Sequence, residues 1–180
     1  MIVTFANSQI GSASYLYDST VLVDVGDFHE EYCDVEAVIL THAHFDHIYG
    51  LNKLLYHRPD IKVYTNGAGK EMLLNAKKNL SFYHEMPFTF DGPDQIIVVS
   101  DRQDLILTDK TAVRAVFTPG HNPSCITWVF MDAIFTGDSL IPGIKTVTNL
   151  PGGNRRQAKE SEILIKQLSE GRQIYPGHIV

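Results

Sequence analysis

The stretch Thr41-His42-Ala43-His44-Phe45-Asp46-His47 brings three histidines and one aspartate together within a few residues. The apolar run just before it, residues 37–40, is typical of a buried strand, and the apolar spacing within residues 48–57 just after it indicates a helix. The polar cluster therefore lies where a strand ends and a helix begins, and the predicted fold is organised around this junction.

The spacing of these four side chains indicates a metal site. Successive side chains of an extended chain point to opposite sides, so His42 and His44 can face one point. Asp46 and His47 come where the chain turns and can reach a second point nearby. Imidazole suits zinc and iron, whereas carboxylate suits harder ions. A solvated histidine-rich loop is the alternative interpretation, but such a loop needs no such spacing directly after a buried strand.

Composition narrows the class of protein. A length of 180 residues predicts a single domain over residues 1–180, and 44% hydrophobic and 20% charged residues are typical of a soluble globular protein. A net charge of −6 disfavours nucleic acid as a partner, and no segment suits a membrane span or a signal peptide. Cys33 and Cys125 make no disulfide framework. We therefore expect a cytoplasmic protein with a small-molecule substrate and no nucleic-acid or membrane partner; the oligomeric state is left open.

Apolar runs separated by turn signals predict the remaining secondary structure. The first predicted strands cover residues 2–6, 13–17, 20–25 and 61–64. A helix is predicted over 68–78, with Lys77 and Lys78 at its basic end. The segments expected to form a second sheet are 95–99, 104–108 and 111–117, and further strands are predicted over 124–130, 133–136 and 172–175. An amphipathic helix is predicted over 155–169, with Asn154 as its N-cap.

Four polar residues outside the cluster also lie at predicted strand ends. Asp24 either orients a ligand imidazole or simply occupies a strand-ending turn. Asp138 follows Thr136-Gly137, and its spacing alone predicts a turn residue. His121 and His178 each follow a Pro-Gly pair. This repeated turn suggests two pseudo-symmetric sheets, each of which contributes one histidine to a shared site.

The pattern His-x-His-x-Asp-His after an apolar strand resembles the signature of the metallo-β-lactamase superfamily of metal-dependent hydrolases. The chain is most similar to its glyoxalase II-like (hydroxyacylglutathione hydrolase-like) branch, which has a segment similar to Asn79-Leu80-Ser81. The resemblance implies an α/β fold, a four-layer αββα sandwich of two mixed β-sheets flanked by helices. It also implies the residues of the site. A first metal is expected on His42, His44 and His121, and a second on Asp46, His47 and His178, with Asp138 as the bridge.

The resemblance implies a dinuclear metallohydrolase that cleaves a thioester or a similar small acyl ester through a metal-bridging hydroxide. Zinc is the expected metal, with iron or manganese as alternatives, and Asp46 is expected to orient the hydroxide as a catalytic residue. Asp24 is expected to support a ligand histidine. Asp138 argues against a β-lactamase, because lactamases of the superfamily have Cys or Ser there.

Other functions remain open on the same residues. A lactonase, a phosphodiesterase or a mononuclear-iron persulfide dioxygenase would use the same site. A non-catalytic metal-binding scaffold is the alternative from a different class, but structural zinc is normally closed by four ligands, fewer than the seven expected here.

Substrate contacts are the least determined part of the site. Lys145 aligns loosely with a substrate-binding lysine of the resembled family, or else is a solvated lysine at the rim. Arg155 and Arg156 begin the last helix, where they would attract a carboxylate or phosphate group unless they are merely solvated. Glyoxalase II proteins continue into a helical domain that contacts glutathione. This sequence is expected to lack that domain, since it ends two residues after His178, which leaves recognition of glutathione open.

Overall fold

The computed structural model describes residues 1–179, which form two mixed β-sheets flanked by helices. The first sheet has the order β1-β2-β3-β4-β5-β6. Its strands are β1 Ile2–Ala6, β2 Ala13–Tyr17, β3 Val21–Val23, β4 Ala37–Ile39, β5 Lys62–Thr65 and β6 Ile96–Val98. Strands β1 to β3 pair antiparallel, whereas β3 to β6 pair parallel.

The second sheet has the order β11-β10-β9-β8-β7. Its strands are β7 Gln103–Thr108, β8 Thr111–Phe117, β9 Ile126–Val129, β10 Ala133–Gly137 and β11 Gln173–Pro176. Strands β7 to β10 pair antiparallel in succession and β10 pairs parallel with β11, so β8, β10 and β11 run in the same direction. Three α-helices are described, α1 Leu51–His57, α2 Gly67–Leu73 and α3 Arg155–Leu168.

Successive side chains of the central strands point alternately to the two sides of the first sheet, and both sides are packed against apolar residues. In β3, Val21 and Val23 face the core between the two sheets, where they pack with Trp128, whereas Leu22 faces the core under the helices. Because both faces of these strands are buried, they are apolar throughout, as the parallel part of a sheet requires. The predicted four-layer αββα arrangement is confirmed by this packing.

Hydrogen bonds also join the two sheets across the core. The Trp128 indole N–H donates to the carbonyl of Leu40 at 2.8 Å, and the backbone N–H of Ile126 donates to the carbonyl of Thr41 at 2.7 Å. These bonds lie at the C-terminal end of β4, directly before His42. They therefore hold the start of the histidine cluster against the second sheet. Within residues 1–179, no helix has the length and apolar character needed to cross a membrane.

Three sequence-based expectations about the fold are wrong. The strand predicted over 95–99 lies in the first sheet, where β6 pairs parallel with β5. The helix predicted over 68–78 ends at Leu73, because the side chain of Asn75 accepts hydrogen bonds from the N–H groups of Lys77 and Lys78 and stabilises a turn there. The two Pro-Gly-His turns follow strands β8 and β11, so both histidines come from the second sheet rather than one from each.

Candidate metal centre

The predicted metal ligands meet where the C-terminal ends of the strands of both sheets converge. From the first sheet, the chain leaving β4 carries the histidine cluster, and residues 45–47 form a single 3₁₀ turn. From the second sheet, His121 follows β8, Asp138 follows β10 and His178 follows β11. Because these three strands run in the same direction, their C-terminal ends lie at one edge of the sheet, and that edge faces the histidine cluster.

Three histidines form the first group of candidate ligands. His42, His44 and His121 are buried, and one ligand atom from each lies within 4.8 Å of the other two. The ring nitrogens His44 Nδ1 and His121 Nε2 are 2.9 Å apart, so they are directed at a common point. Burial, together with the neighbouring His121 and His47, lowers the pKa of His44 to about 3. The ring is therefore neutral at physiological pH, as metal ligation requires.

A second group comprises Asp46, His47 and His178, whose ligand atoms also lie within 4.8 Å of one another. Asp46 Oδ2 is 3.4 Å from His47 Nε2 and 3.5 Å from His178 Nε2. The second group thus combines a carboxylate with two imidazoles, a harder set of ligands than the first group.

Asp138 lies between the two groups. Its Oδ2 is 3.5 Å from His121 Nε2 in the first group and 3.4 Å from His178 Nε2 in the second, while its Oδ1 is 3.6 Å from His47 Nε2. Burial alone would raise the pKa of this carboxyl, but His178, His47 and His121 together lower it. Asp138 is therefore ionised and lies within 3.6 Å of imidazole nitrogens in both groups.

Buried polar atoms without a hydrogen-bond partner test whether a metal fits here. His42 Nε2, His47 Nε2 and Asp138 Oδ1 are such atoms. Buried polar atoms in native proteins nearly always have a partner, and a bound ion can take the place of a hydrogen-bonding group. All three point into the cluster of imidazole and carboxylate groups, which are suitable ligands for a divalent metal ion. The residues present therefore fit a divalent metal site.

Asp24 lies behind the cluster and contacts His47. Its Oδ1 accepts a hydrogen bond from the Thr41 N–H at 2.7 Å, and its Oδ2 accepts from Thr41 Oγ1 at 2.6 Å and faces His47 Nδ1 at 2.9 Å. Asp24 is also close enough to His42 and His47 to be a ligand itself. Its two oxygens are already used by these hydrogen bonds, however, so the geometry favours an orienting role.

The carboxylates around His47 control its protonation. Burial lowers the pKa of the imidazole, but Asp46, Asp24 and Asp138 outweigh that effect and raise it to about 10. In the metal-free protein His47 is therefore a cation, and its Nε2 proton must leave before the ring can bind a metal at that atom.

The turn between β1 and β2 is part of the site that sequence reasoning missed. The buried Ser12 hydroxyl donates to the backbone carbonyl of Asp46 at 2.6 Å, and the Ser12 backbone forms an isolated β-bridge with His178. His178 Nδ1 lies 3.2 Å from the carbonyl of Ile10, which points Nε2 at the cluster. The turn therefore holds two members of the second group. Small polar residues in a turn carry no signal in the sequence for such a distant contact.

The rim of the first group was only partly anticipated. The loop over residues 139–153 was expected at the rim, and the carbonyl of Val147 in this loop accepts a hydrogen bond from His121 Nδ1 at 2.9 Å. The side-chain nitrogen Nδ2 of Asn122 lies 3.3 Å from His44 Nε2. The contact from Val147 fixes which nitrogen of His121 faces the cluster.

The two Pro-Gly-His turns require glycine because neighbouring atoms lie too close to leave room for a Cβ atom. Gly120 has a φ of +139°, and a Cβ there would lie 2.3 Å from the backbone nitrogen of Ala158. A Cβ at Gly177 would lie 2.1 Å from Asp138 Oδ1. A larger residue at either position would displace α3 or the shared carboxylate, so the repeated motif reflects local packing at two different places.

The structure brings together the seven predicted ligands and Asp24, but not Lys145. Lys145 is exposed on the 139–153 loop, and it lines a cavity to which none of the seven ligands contributes. The prediction that Lys145 binds substrate therefore has no contact with the metal centre to support it. Cys125 is buried, and burial raises the pKa of its thiol to about 12, which argues against a thiolate nucleophile.

Comparison with known proteins identifies the family. Residues 10–178 match the model of the metallo-beta-lactamase superfamily. The chain belongs to the metallo-beta-lactamase superfamily.

Three curated relatives of this superfamily member carry different names. "Probable metallo-hydrolase YqgX" of Bacillus subtilis is 31% identical over 145 residues, which cover 79% of this chain and 64% of the relative. "Hydroxyacylglutathione hydrolase" of Francisella philomiragia is 26% identical over 186 residues, covering 97% of this chain and 65% of the relative. With "Glyoxylase B2" of Dictyostelium discoideum, 51% of the relative is covered. The chain thus spans about half to two thirds of the length of these relatives.

Solved structures share the metallo-beta-lactamase fold. The BLEG-1 B3 metallo-beta-lactamase superposes with a TM-score of 0.87 at 23% identity and covers 100% of this chain and 92% of its own. TTHA1623 in a di-iron-bound form superposes with a TM-score of 0.82 at 21% identity, and the match covers 99% of this chain and 92% of TTHA1623. At these identities the structures show the fold alone.

Proposed function

We propose that this superfamily member is a dinuclear metallohydrolase, with zinc as the expected metal, that cleaves a thioester or a similar small acyl ester. The observation that carries the proposal is the position of Asp138 between the two ligand groups, within 3.6 Å of an imidazole nitrogen in each. A single structural metal closed by four ligands needs no carboxylate shared with a second group. The arrangement supports two neighbouring ions and hence a catalytic centre.

The two groups of side chains would hold two divalent ions, whose presence would lower the pKa of a bound water from ~15.7 towards ~7 and polarise the substrate carbonyl. The chain supplies the rest. Asp46 keeps a small exposed fraction of its side chain, 8%, and its carboxylate would accept a hydrogen bond from the hydroxide and orient it. Asp24 and Ile10 hold the imidazoles of His47 and His178 in the tautomer that faces the centre.

A relative supports the thioester substrate, and Asp138 argues against a lactam substrate. Asp138 stands where we expect Cys or Ser in the lactamases of the superfamily, and a relative at 26% identity is named a hydroxyacylglutathione hydrolase. A lactonase, a phosphodiesterase and a mononuclear-iron persulfide dioxygenase would use the same ligands and are the competing outcomes of the test. The cytoplasmic location, the small-molecule partner and the single domain over 1–180 stay predictions.

The test combines metal content with a substrate panel. Elemental analysis should find close to two metal ions per chain, and the identity of the metal follows from the same measurement. Turnover should be compared for S-lactoylglutathione, a short acyl-CoA, a homoserine lactone and a phosphodiester. The thioesters should have the highest kcat/KM. A faster lactone or phosphodiester would reject the thioesterase, and a stoichiometry of one that added zinc, iron or manganese does not raise would reject the dinuclear centre.

A matched pair of variants links turnover to the shared carboxylate. Asp138→Ala should lose the second metal and nearly all hydrolysis, because both groups lose a common ligand. Asp94→Ala removes an exposed carboxylate from the 3₁₀ turn Pro93–Gln95, and it should keep both metals and full turnover. Wild-type turnover in Asp138→Ala would remove Asp138 from the centre.

A further inference from the structure

The cavity that Lys145 lines lies between the segment 140–148 and helix α3. Its volume is about 550 Å³, and none of the seven predicted metal ligands lines it. Ile141, Ile144 and Ile174 form apolar parts of its wall. Small-molecule sites typically enclose roughly 300–1,000 Å³, with apolar walls and a few polar groups, so the cavity has the size and lining of a binding site.

Most of the charged groups of this cavity are cationic. Lys145, Arg155, Lys159 and Lys166 line it, and Glu162 is the one acidic residue among its lining residues. Glu162 is already paired with Lys166, at 2.6 Å between Oε1 and Nζ. Within residues 1–179, Lys145, Arg155 and Lys159 form no ion pair within 4.0 Å. Three positive charges therefore line the cavity with no carboxylate of the described residues within 4.0 Å of them.

This cluster departs from the composition of the chain, whose net charge is −6. The adjacent residue Arg156 does not belong to the cluster, because it pairs with Glu160 at 2.9 Å and does not line the cavity. Clefts that are lined by one sign of charge between apolar walls concentrate ions of the opposite sign. The cavity is therefore a local positive site on an acidic protein.

Helix α3 accounts for the alignment of the charges. Arg155, Lys159, Glu162 and Lys166 follow the spacing of three and four residues that places side chains on one face of a helix. The side chain of Asn154 already accepts hydrogen bonds from the N–H groups of Arg156 and Gln157. A ligand would therefore be held by the cationic side chains rather than by the free N–H groups of the helix.

We propose that this cavity binds a small molecule that carries one or more phosphate groups, at a site separate from the metal centre. A phosphate group carries close to two negative charges at neutral pH and several strong acceptor oxygens, which matches three uncompensated cations better than a single carboxylate does. Arg155 can bind phosphate oxygens through two parallel N–H donors, and Lys145 and Lys159 add point charges. The apolar wall leaves room for an organic portion of the ligand.

The test measures binding of ADP, inorganic pyrophosphate and succinate to the metal-loaded protein by isothermal titration calorimetry. The metal centre is itself a candidate site for phosphates, so the variants decide where binding occurs. Arg155→Glu and Lys159→Glu should each weaken binding of ADP and pyrophosphate by roughly tenfold or more, since each removes a charge-assisted contact. Arg156→Glu changes the adjacent arginine outside the cavity and should leave both affinities unchanged.

Three results would overturn the proposal. The first is that neither phosphate compound binds. The second is that both bind equally well to the wild type, Arg155→Glu and Lys159→Glu, which would place them at the metal centre. The third is that succinate binds as tightly as pyrophosphate, which would remove the preference for phosphate. Metal content and thioester turnover of Lys159→Glu should match the wild type, because Lys159 lines this cavity and none of the predicted ligands does. A failure here is thereby distinguished from a failure of the proposed hydrolase.

Discussion

Replacing Ser12 with alanine should weaken metal binding at the group of Asp46, His47 and His178 while leaving the group of His42, His44 and His121 intact. The Ser12 hydroxyl is fully buried, donates to the Asp46 carbonyl at 2.6 Å and accepts from Asn7 Nδ2 at 3.0 Å. It is also part of the turn that orients His178.

The size of the effect follows from these contacts. Removing the hydroxyl takes a hydrogen bond from a buried carbonyl, which costs about 1–3 kcal/mol of folding stability. Removing a residue that orients metal ligands typically lowers metal affinity by roughly 10–100-fold. Because Ser12 touches only the second group, we expect that loss in one of the two binding steps.

The assay is a titration of the metal-free protein with Zn²⁺, followed by calorimetry, together with denaturant unfolding of the metal-free forms. Ser81→Ala is the matched control. Ser81 is also a fully buried serine, and its hydroxyl bonds the backbone of Phe88, away from the metal centre. It should lose similar stability but no metal affinity.

Two results would refute the reasoning. If the titration of Ser12→Ala superposes on that of the wild type, the β1–β2 turn does not position the second group. If Ser81→Ala loses the same metal affinity, the effect reflects general stability rather than the position of the ligands.

Three further predictions concern residues inside the fold. Asp24→Asn should lower metal affinity by roughly 10–100-fold in competition with a chelator, because an amide nitrogen replaces one acceptor for Thr41 or His47; unchanged affinity would exclude an orienting role. Trp128→Phe removes the donor to the Leu40 carbonyl and leaves a gap in the core. Urea unfolding should therefore show a free energy of unfolding that is lower by about 2–4 kcal/mol. The control Tyr56→Phe changes an exposed side chain and should lower the free energy of unfolding by less than about 0.5 kcal/mol. Zinc binding between pH 7 and 8 should release a proton from His47, because the raised pKa of about 10 keeps the ring of the metal-free protein charged at these pH values. A pH indicator would show the release, and the release should fade above pH 10.

Much of the local structure was predictable from short-range patterns. The strand bounds of β1, β2 and β8 agree with the sequence prediction, and α3 begins at Arg155 after its Asn154 cap. The candidate ligands were also found from the sequence. Strand alternation put His42 and His44 on one side, and the resemblance to a known family supplied His121, Asp138 and His178. Such patterns depend on residues a few positions apart, whose geometry the backbone itself restricts.

The pairing of strands was not predictable in the same way. The apolar run at β6 reads equally well as a strand of either sheet, and only the parallel pairing with β5 assigns it to the first. The repeated Pro-Gly-His turns suggested one histidine from each sheet, whereas the common direction of β8 and β11 places both on the second. A strand's own residues restrict its conformation but not its neighbour.

Sequence alone therefore determined the family signature, the candidate ligands and most elements, since these follow from spacing along the chain and from the motifs of the resembled family. Only the tertiary structure decided that Ser12 supports Asp46 across 34 positions, that Asp138 lies between the two groups and that Lys145 faces a cavity apart from them. Each of these contacts joins segments that are distant in sequence. Their geometry depends on how the two sheets pack together, and packing is a property of the whole core rather than of any local stretch.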